Sequence, residues 1–288
     1  MKTYPECLAC LLKQTVQTVK LVKTRQSLKS EIIKKVEKEF LPAVNLNWNP
    51  PKISRNMHKL IKEMLKNDDP YKKIKVKYNK IALRMENELK KIIKNSKDKL
   101  LTAIKIAIAG NVIDFGAQLK FDLKSDLQDI LKKDFAIFHY DKFKQKLKKE
   151  KNILYLGDNS GEIVFDKIFI EFIKENYGSK IIYAVKEKPI LNDATMKDAI
   201  FCGIEKFAEI ISCGADSPGI VLDYCNKKFL KIFNEATFII SKGQGNFEAL
   251  ENMKRPIFFL FKIKCDVVAD YMKLPMGSII LQYAKVGK

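Results

Sequence analysis

Apolar positions recur every three to four residues through most of the first half of the chain. Segments 5–24 and 26–39 carry this spacing, which predicts amphipathic helices. A break follows from Asn45 to Pro51, where two prolines and Trp48 interrupt the pattern. Helical spacing resumes over 53–66, and Asn67, Asp68, Asp69 and Pro70 then form a turn or a helix start. Further helices are predicted over 71–95, 98–109, 124–133 and 140–149. No strong strand signal appears before residue 152.

After that point the period changes. Continuous apolar runs occupy 153–156, 181–185, 209–211, 237–241 and 257–261, separated by segments long enough for helices. That alternation predicts a largely parallel sheet with crossover helices. The chain reads as α/β: a helical N-terminal region, 1–150, followed by a Rossmann-like α/β domain, 151–288. The boundary falls in the Lys-rich stretch 145–152, and the N-terminal helices are expected to cover one face or edge of the sheet.

Composition narrows the function. The 288 residues are 47% hydrophobic, enough for one large domain or two modest ones. No apolar run approaches the ~18 residues of a membrane span. The N-terminus lacks a signal peptide's apolar region and cleavage site, so a cytoplasmic protein is expected. The formal net charge is +20. Its lysines are spread among acids along 88–99 and 143–151, with no compact Arg-rich stripe and no aromatic-interleaved RNA motif. This reads as a solvated surface that also helps to draw in a small anionic substrate. A nucleic-acid-binding protein is the less favoured use of it.

Six cysteines occur, at 7, 10, 202, 213, 225 and 265, which in a cytosolic chain of this size is not a disulfide framework. Cys7 and Cys10 form a CxxC. It reads as half of a metal site joined by Cys265 or His58, as a redox pair, or as two small residues of a packed helix interface. Only His58 and His139 are present, too few for a His-rich zinc centre. A catalytic metal here would therefore be held largely by oxygen ligands, which favours Mg²⁺ or Mn²⁺.

Each of four apolar runs ends in a polar loop, and three of the four bear glycine. The first, Gly157 to Glu162, reads GDNSGE. Asp158 and Asn159 offer hard oxygens at a strand end, Gly161 lets backbone approach a ligand, and a helix starts near Glu162. The second, PILNDATMKD, holds another acid–amide pair, Asn192 and Asp193. The third, SCGADSPG, contains Asp216 and Ser217. The fourth, SKGQGNFE, combines Lys242 with Gly243, Gln244, Gly245 and Asn246 and reads as a phosphate cradle. A fifth segment, GNVIDFG, sets Asn111 and Asp114 three apart, on one face if helical. Neither a dinucleotide fingerprint nor a Walker loop is present. Packing alone does not require such repetition, and the sum is a metal site plus an anion site along one sheet edge.

In this order the loops resemble the DUF89 proteins, the damage-control phosphatases. PECLAC near the start, DDPYKKIKVKYN at 68–79 and AIAGNVIDFG at 107–116 also match, and point to the archaeal-type CxxC subfamily I. The resemblance implies a helical part joined to a Rossmann-like part, and metal-dependent hydrolysis of small phosphate esters such as sugar phosphates. It implies metal ligation by Asp158, Asn159 and Asp193, with Mg, Mn, Co or Ni as the ion. Lys242 would contact the phosphate, and Asn111 and Asp114 would line the pocket. Gly161, Glu162, Asp216, Ser217 and residues 243–246 would complete the substrate site. Asp158 either only holds the metal or acts as base or nucleophile. An aspartyl-phosphate route is less favoured, because residue 160 is Ser where that chemistry would want a second Asp. The competing enzyme reading is an S-adenosylmethionine-dependent carboxyl methyltransferase, but no E/DxGxGxG loop follows any apolar run.

Overall fold

The computed structural model describes residues 1–112 and 123–284, with side chains omitted for 111, 112 and 123–126. The N-terminal helices are α1 (Glu6–Leu21), α2 (Gln26–Lys35), α3 (Pro50–Leu65), α4 (Lys72–Asn95), α5 (Lys99–Val112) and α6 (Leu123–Lys132). Then follow β1 (Phe135–Phe138), α7 (Tyr140–Lys149), β2 (Asn152–Leu156), α8 (Glu162–Tyr177), β3 (Lys180–Val185), α9 (Met196–Cys202) and β4 (Glu209–Ser212). The chain closes with α10 (Lys227–Glu235), β5 (Ile239–Lys242), α11 (Gln244–Leu250), β6 (Ile257–Lys262), α12 (Asp266–Met272) and β7 (Ile279–Tyr283). Among the described residues no helix is long and apolar enough to cross a membrane.

The helices begin where capping chemistry allows. Pro50 and Pro51 occupy the first turn of α3, where no intrahelical N–H is needed, and Asn49 accepts the Lys52 N–H at 2.9 Å. The prolines that break the apolar pattern therefore start a helix. Thr195 and Asp198 form a reciprocal capping box on α9.

The seven strands form one sheet, ordered β1-β7-β6-β5-β2-β3-β4. All described pairs are parallel except β6–β7. The sequence reading missed β1 and β7. Strand β1 is a four-residue edge strand of alternating half-buried and exposed residues, and it precedes the position at which the first strand was expected. The run forming β7 follows α12 at the end of the sheet-forming series and inserts antiparallel between β6 and β1, outside the parallel alternation by which the other strands were recognised.

Strand residues alternate between two cores. Ile153, Tyr155, Tyr183 and Ile240 face a core shared with α4, α5, α7 and α8. Leu154, Leu156, Ala184 and Ile239 face the other, with α10, α11 and α12. Helices α1 to α3 build a smaller apolar cluster around Met57 and Ile61, and α3 packs against α11. From β2 the chain moves through β3 to β4, then returns to β5 and β6 on the other side of β2. The strand order thus reverses between β2 and β5, which opens a crevice at their carboxyl ends.

Candidate metal and phosphate site

The loops after β2 and β3 are zipped together by backbone. Ala194 N–H donates to the Asp158 carbonyl and Ser160 N–H to the Asn192 carbonyl, each at 2.8 Å, and Asn159 and Asp193 form an antiparallel bridge. The two acid–amide pairs are therefore adjacent, as their positions on neighbouring parallel strands predicted. Asp158 is 7% exposed and Asp193 3%, while Glu162, at the start of α8, is fully buried.

The electrostatics of this cluster are unfavourable to negative charge. Burial pushes the Asp158 carboxyl well above the usual range, and the charges of Glu162 and Asp193 push it further. Asp193 is raised to about 6, again by burial, against the pull of Lys186. Lys186 Nζ stands 3.6 Å from Asp193 Oδ2, beyond a full hydrogen bond, and that buried oxygen has no hydrogen-bond donor among the described residues. The Asn159 amide donates to Asp158 Oδ2 at 2.7 Å and to Glu162 Oε2 at 3.3 Å. Its carbonyl oxygen is thus the atom left to offer a cation. Two carboxylates and an amide oxygen are hard donors suited to a divalent ion, and the underfilled Asp193 oxygen is where such a charge is missing.

The loop after β5 closes the crevice through its backbone. Gly243 has φ 81° and ψ 153°, and a Cβ there would overlap the Asp158 carboxylate. Only glycine lets the chain pass so close to that side chain.

Lys242 corrects one expectation. It is fully buried, and its ammonium donates to Ala107 O at 2.8 Å, Glu162 Oε1 at 2.7 Å and Asp166 Oδ1 at 2.7 Å. All three of its hydrogens are engaged. Here it holds Glu162 beneath the loop after β2, and its ammonium is turned into the core. Burial alone would lower its pKa, but Asp166 and Glu162 outweigh that and raise it. Asp166 also accepts from Tyr155 and Tyr183, at 2.6 and 2.9 Å.

Other expected substrate contacts are likewise framework here. Asn246 is fully buried, donates to Lys242 O (2.7 Å) and Gly157 O (3.2 Å), and accepts from Ile220 N (2.8 Å). It ties three loops together. Ser217 donates to Gly219 O at 2.8 Å and is fully buried. Asp216 is paired with the Arg55 guanidinium of α3, and Gln244 turns towards Glu248 and Cys265. The Gly161 N–H is taken by Asn79 Oδ1 at 2.6 Å, and Gly245 lies against the backbone of Pro218 and Gly219. Asn111 belongs to α5, with its side chain outside the described residues, as is all of Asp114.

Four participants escaped the sequence reading: Lys186, Asn79, Asp166 and Arg55. Lys186 directly follows the apolar strand β3, a charge where burial was to be expected. Asp166 lies one helical turn after Glu162, the spacing that lets both reach one ammonium. Asn79 and Arg55 come from distant helices and carry no local signal.

Comparison with known proteins identifies the family of the chain. Residues 3–280 match the family described as the damage-control phosphatase ARMT1-like domain. A damage-control phosphatase of Pyrococcus horikoshii is 34% identical, over 97% of this chain and 97% of that protein. One of Archaeoglobus fulgidus is 30% identical, over 97% of this chain and 98% of that protein. The crystal structure of a DUF89 family protein from Pyrococcus horikoshii superimposes with a TM-score of 0.91, covering 99% of this chain and 100% of that one.

Proposed function

Because the chain belongs to the damage-control phosphatase ARMT1-like family, we propose that it hydrolyses phosphate monoesters of small metabolites, such as sugar phosphates, in the crevice lined by Asp158, Asn159 and Asp193. The observation that carries this reading is the buried Asp158–Asp193 pair, whose negative charge the neighbouring ammonium of Lys186 only partly offsets. A divalent ion, Mg, Mn, Co or Ni, would be held by Asp158, Asn159 Oδ1 and Asp193. When bound, such an ion polarises phosphoryl oxygens and lowers the pKa of a coordinated water.

The chain's own residues set the geometry. Asn159 is fixed by its two carboxylate partners, so its oxygen direction is set in advance. Lys242 fixes Glu162 from below. Lys186, 2% exposed, brings a positive charge beside Asp193, where it offsets charge on a transferring phosphoryl group. The cationic surface raises the local concentration of phosphorylated substrates. Asp158 acts as ligand in this scheme.

A phosphatase panel with and without each divalent ion tests the reading. Phosphate release from sugar phosphates should appear with the ion and vanish with chelator. Asp158→Ala and Asp193→Ala should abolish turnover while circular dichroism stays unchanged. Full turnover in both variants, or in chelator, would overturn it.

A further inference from the structure

Two sequence motifs have no part in the crevice chemistry described so far. The Cys7–Cys10 pair offers no site: Cys10 is exposed, Cys7 is half-buried, and among the described residues no group of three His, Cys, Asp or Glu side chains that could hold a metal includes them. The other motif is the segment 68–79, and its last residue reaches both loops that carry the candidate metal ligands. Asn79, on α4, is 1% exposed. Its Oδ1 accepts the Gly161 N–H at 2.6 Å, and its Nδ2 donates to Asp198 Oδ1 at 3.1 Å. Gly161 lies two residues after Asn159. The second oxygen of Asp198 accepts from the Thr195 N–H at 3.0 Å and from the Thr195 hydroxyl at 2.7 Å, and Thr195 lies two residues after Asp193. One amide therefore ties the Asp158–Asn159 loop to the segment that follows Asp193.

Helix packing alone does not require this amide. The buried face of α4 is apolar at Ala82, Leu89 and Ile93, and becomes polar at Lys75 and Asn79, one turn apart. Buried polar groups are costly unless each is matched. Lys75 is matched by Asp69 at 2.8 Å and stands 3.7 Å from Asp198 Oδ2. Helix α9 has its own capping box, so it does not need Asn79 to begin. What the two loops require is an acceptor for an N–H on one side and a donor for a carboxylate on the other. An amide supplies both from one planar group, and turned over it would set N–H against N–H and oxygen against carboxylate. Gly161, at φ 85°, has no side chain with which to anchor itself, so its hold on α4 runs through that N–H.

We propose that Asn79 is a positioning residue for the crevice: it fixes the loop after β2 against the start of α9, and so holds Asp158, Asn159 and Asp193 at the separation a divalent cation needs. The proposal rests on the metal-dependent phosphatase reading of that crevice. Outer-shell hydrogen bonds of this kind orient the donors before the ion arrives, and the ion then binds with less reordering. The helical N-terminal region thereby controls metal affinity without supplying a ligand.

The test pairs Mn²⁺ binding by calorimetry with hydrogen exchange of the Gly161 amide, read by NMR in the metal-free protein. Asn79→Ala removes both hydrogen bonds. Its Mn²⁺ affinity should fall about 10–100-fold, as on loss of an outer-shell partner, and the Gly161 amide should exchange at least about tenfold faster. Asn79→Asp should weaken Mn²⁺ binding similarly, because it faces Asp198 with a like charge. In the double variant N79D/D198N the same hydrogen bonds form with amide and carboxylate exchanged, and Lys75 keeps a carboxylate one turn away. Its affinity should return to within about threefold of the parent, a recovery that a mere loss of packing would not show. Asn79→Ser, too short for either partner, takes the place of Asn79→Ala should that variant fail to fold. Parental Mn²⁺ affinity in the Ala or Ser variant, or a double variant no better than Asn79→Asp, overturns the proposal. Faster Gly161 exchange with unchanged Mn²⁺ affinity also overturns it, and leaves the phosphatase reading standing. A parent protein that binds no Mn²⁺ overturns that reading and this proposal with it.

Discussion

Substituting Gly243 by Ala probes the crevice through its backbone and leaves every polar group in place. Two penalties add. The conformation at φ 81° and ψ 153° belongs to a region that side-chain-bearing residues avoid, at a cost of about 1–3 kcal/mol. The new Cβ would also overlap the Asp158 carboxylate, which must move by roughly an ångström to restore ordinary contact. A displacement of that size at a reacting centre costs about 10²-fold in rate. Gly178→Ala separates the two effects. Gly178 has φ 65° at the end of α8, far from the crevice, and a Cβ there meets nothing within 4 Å. It should lose about 1 kcal/mol of stability and keep its turnover. The assay is metal-dependent phosphate release at saturating substrate, beside thermal unfolding of the same preparations. Gly243→Ala should lose about a hundredfold in turnover while its melting temperature falls by only several degrees. Turnover within about threefold of the parent, or equal to that of Gly178→Ala, would show that the contact does not position Asp158.

Three further outcomes follow from the buried charges. Asp158→Ala and Asp193→Ala should each cut turnover by about three orders of magnitude, since metal charge stabilisation is worth several kcal/mol, as steady-state kinetics over a metal series will show. Lys242→Met should cost about 3–5 kcal/mol in denaturant unfolding, because it strands two buried carboxylates; a direct phosphate contact would instead raise KM and leave stability alone. Asp166 is raised to about 6 by burial, above its ordinary 3.8, so the folded chain keeps that proton where the unfolded chain has lost it. Its contribution to stability is therefore complete below about pH 4 and is lost as pH rises through about 6, and Asp166→Asn should flatten that part of a melting-temperature profile.

How much of this was legible in the chain depends on how local the signal is. The five apolar runs after residue 152 became β2 to β6 with ends shifted by no more than a residue or two, because a buried parallel strand needs continuous apolar sequence. Strand β1 hid because an edge strand of four residues, half of them exposed, has no such need. In the crevice, the Asp158–Asn159 and Asn192–Asp193 pairs could be placed together from strand order alone. Lys242 could not be read correctly, because its surroundings come from α5 and α8, which the loop sequence does not mention. Asn79 hydrogen bonds to both Gly161 and Asp198, a contact of α4 with the loop after β2 and the first turn of α9 that only the folded chain creates.

The position of Lys242 changes what the fourth loop contributes. A lysine beside two glycines suggests a phosphate cradle, with the side chain supplying charge and the backbone supplying N–H groups. The structure divides these roles differently. Lys242 ends β5 and points into the core shared with α5 and α8, where it neutralises Glu162 and Asp166. Glu162 thereby stays fixed as a partner for the Asn159 amide, and the Asn159 oxygen direction depends on it. The glycine that follows contributes absence of bulk, bringing its backbone against Asp158. The ammonium beside Asp193 is that of Lys186, on the opposite side of β2 in the sheet. The buried groups at the switch point comprise four carboxylates, Asp158, Glu162, Asp166 and Asp193, against two ammoniums, Lys186 and Lys242. With all of them ionised two negative charges are left over, and a divalent cation is the simplest group that cancels both.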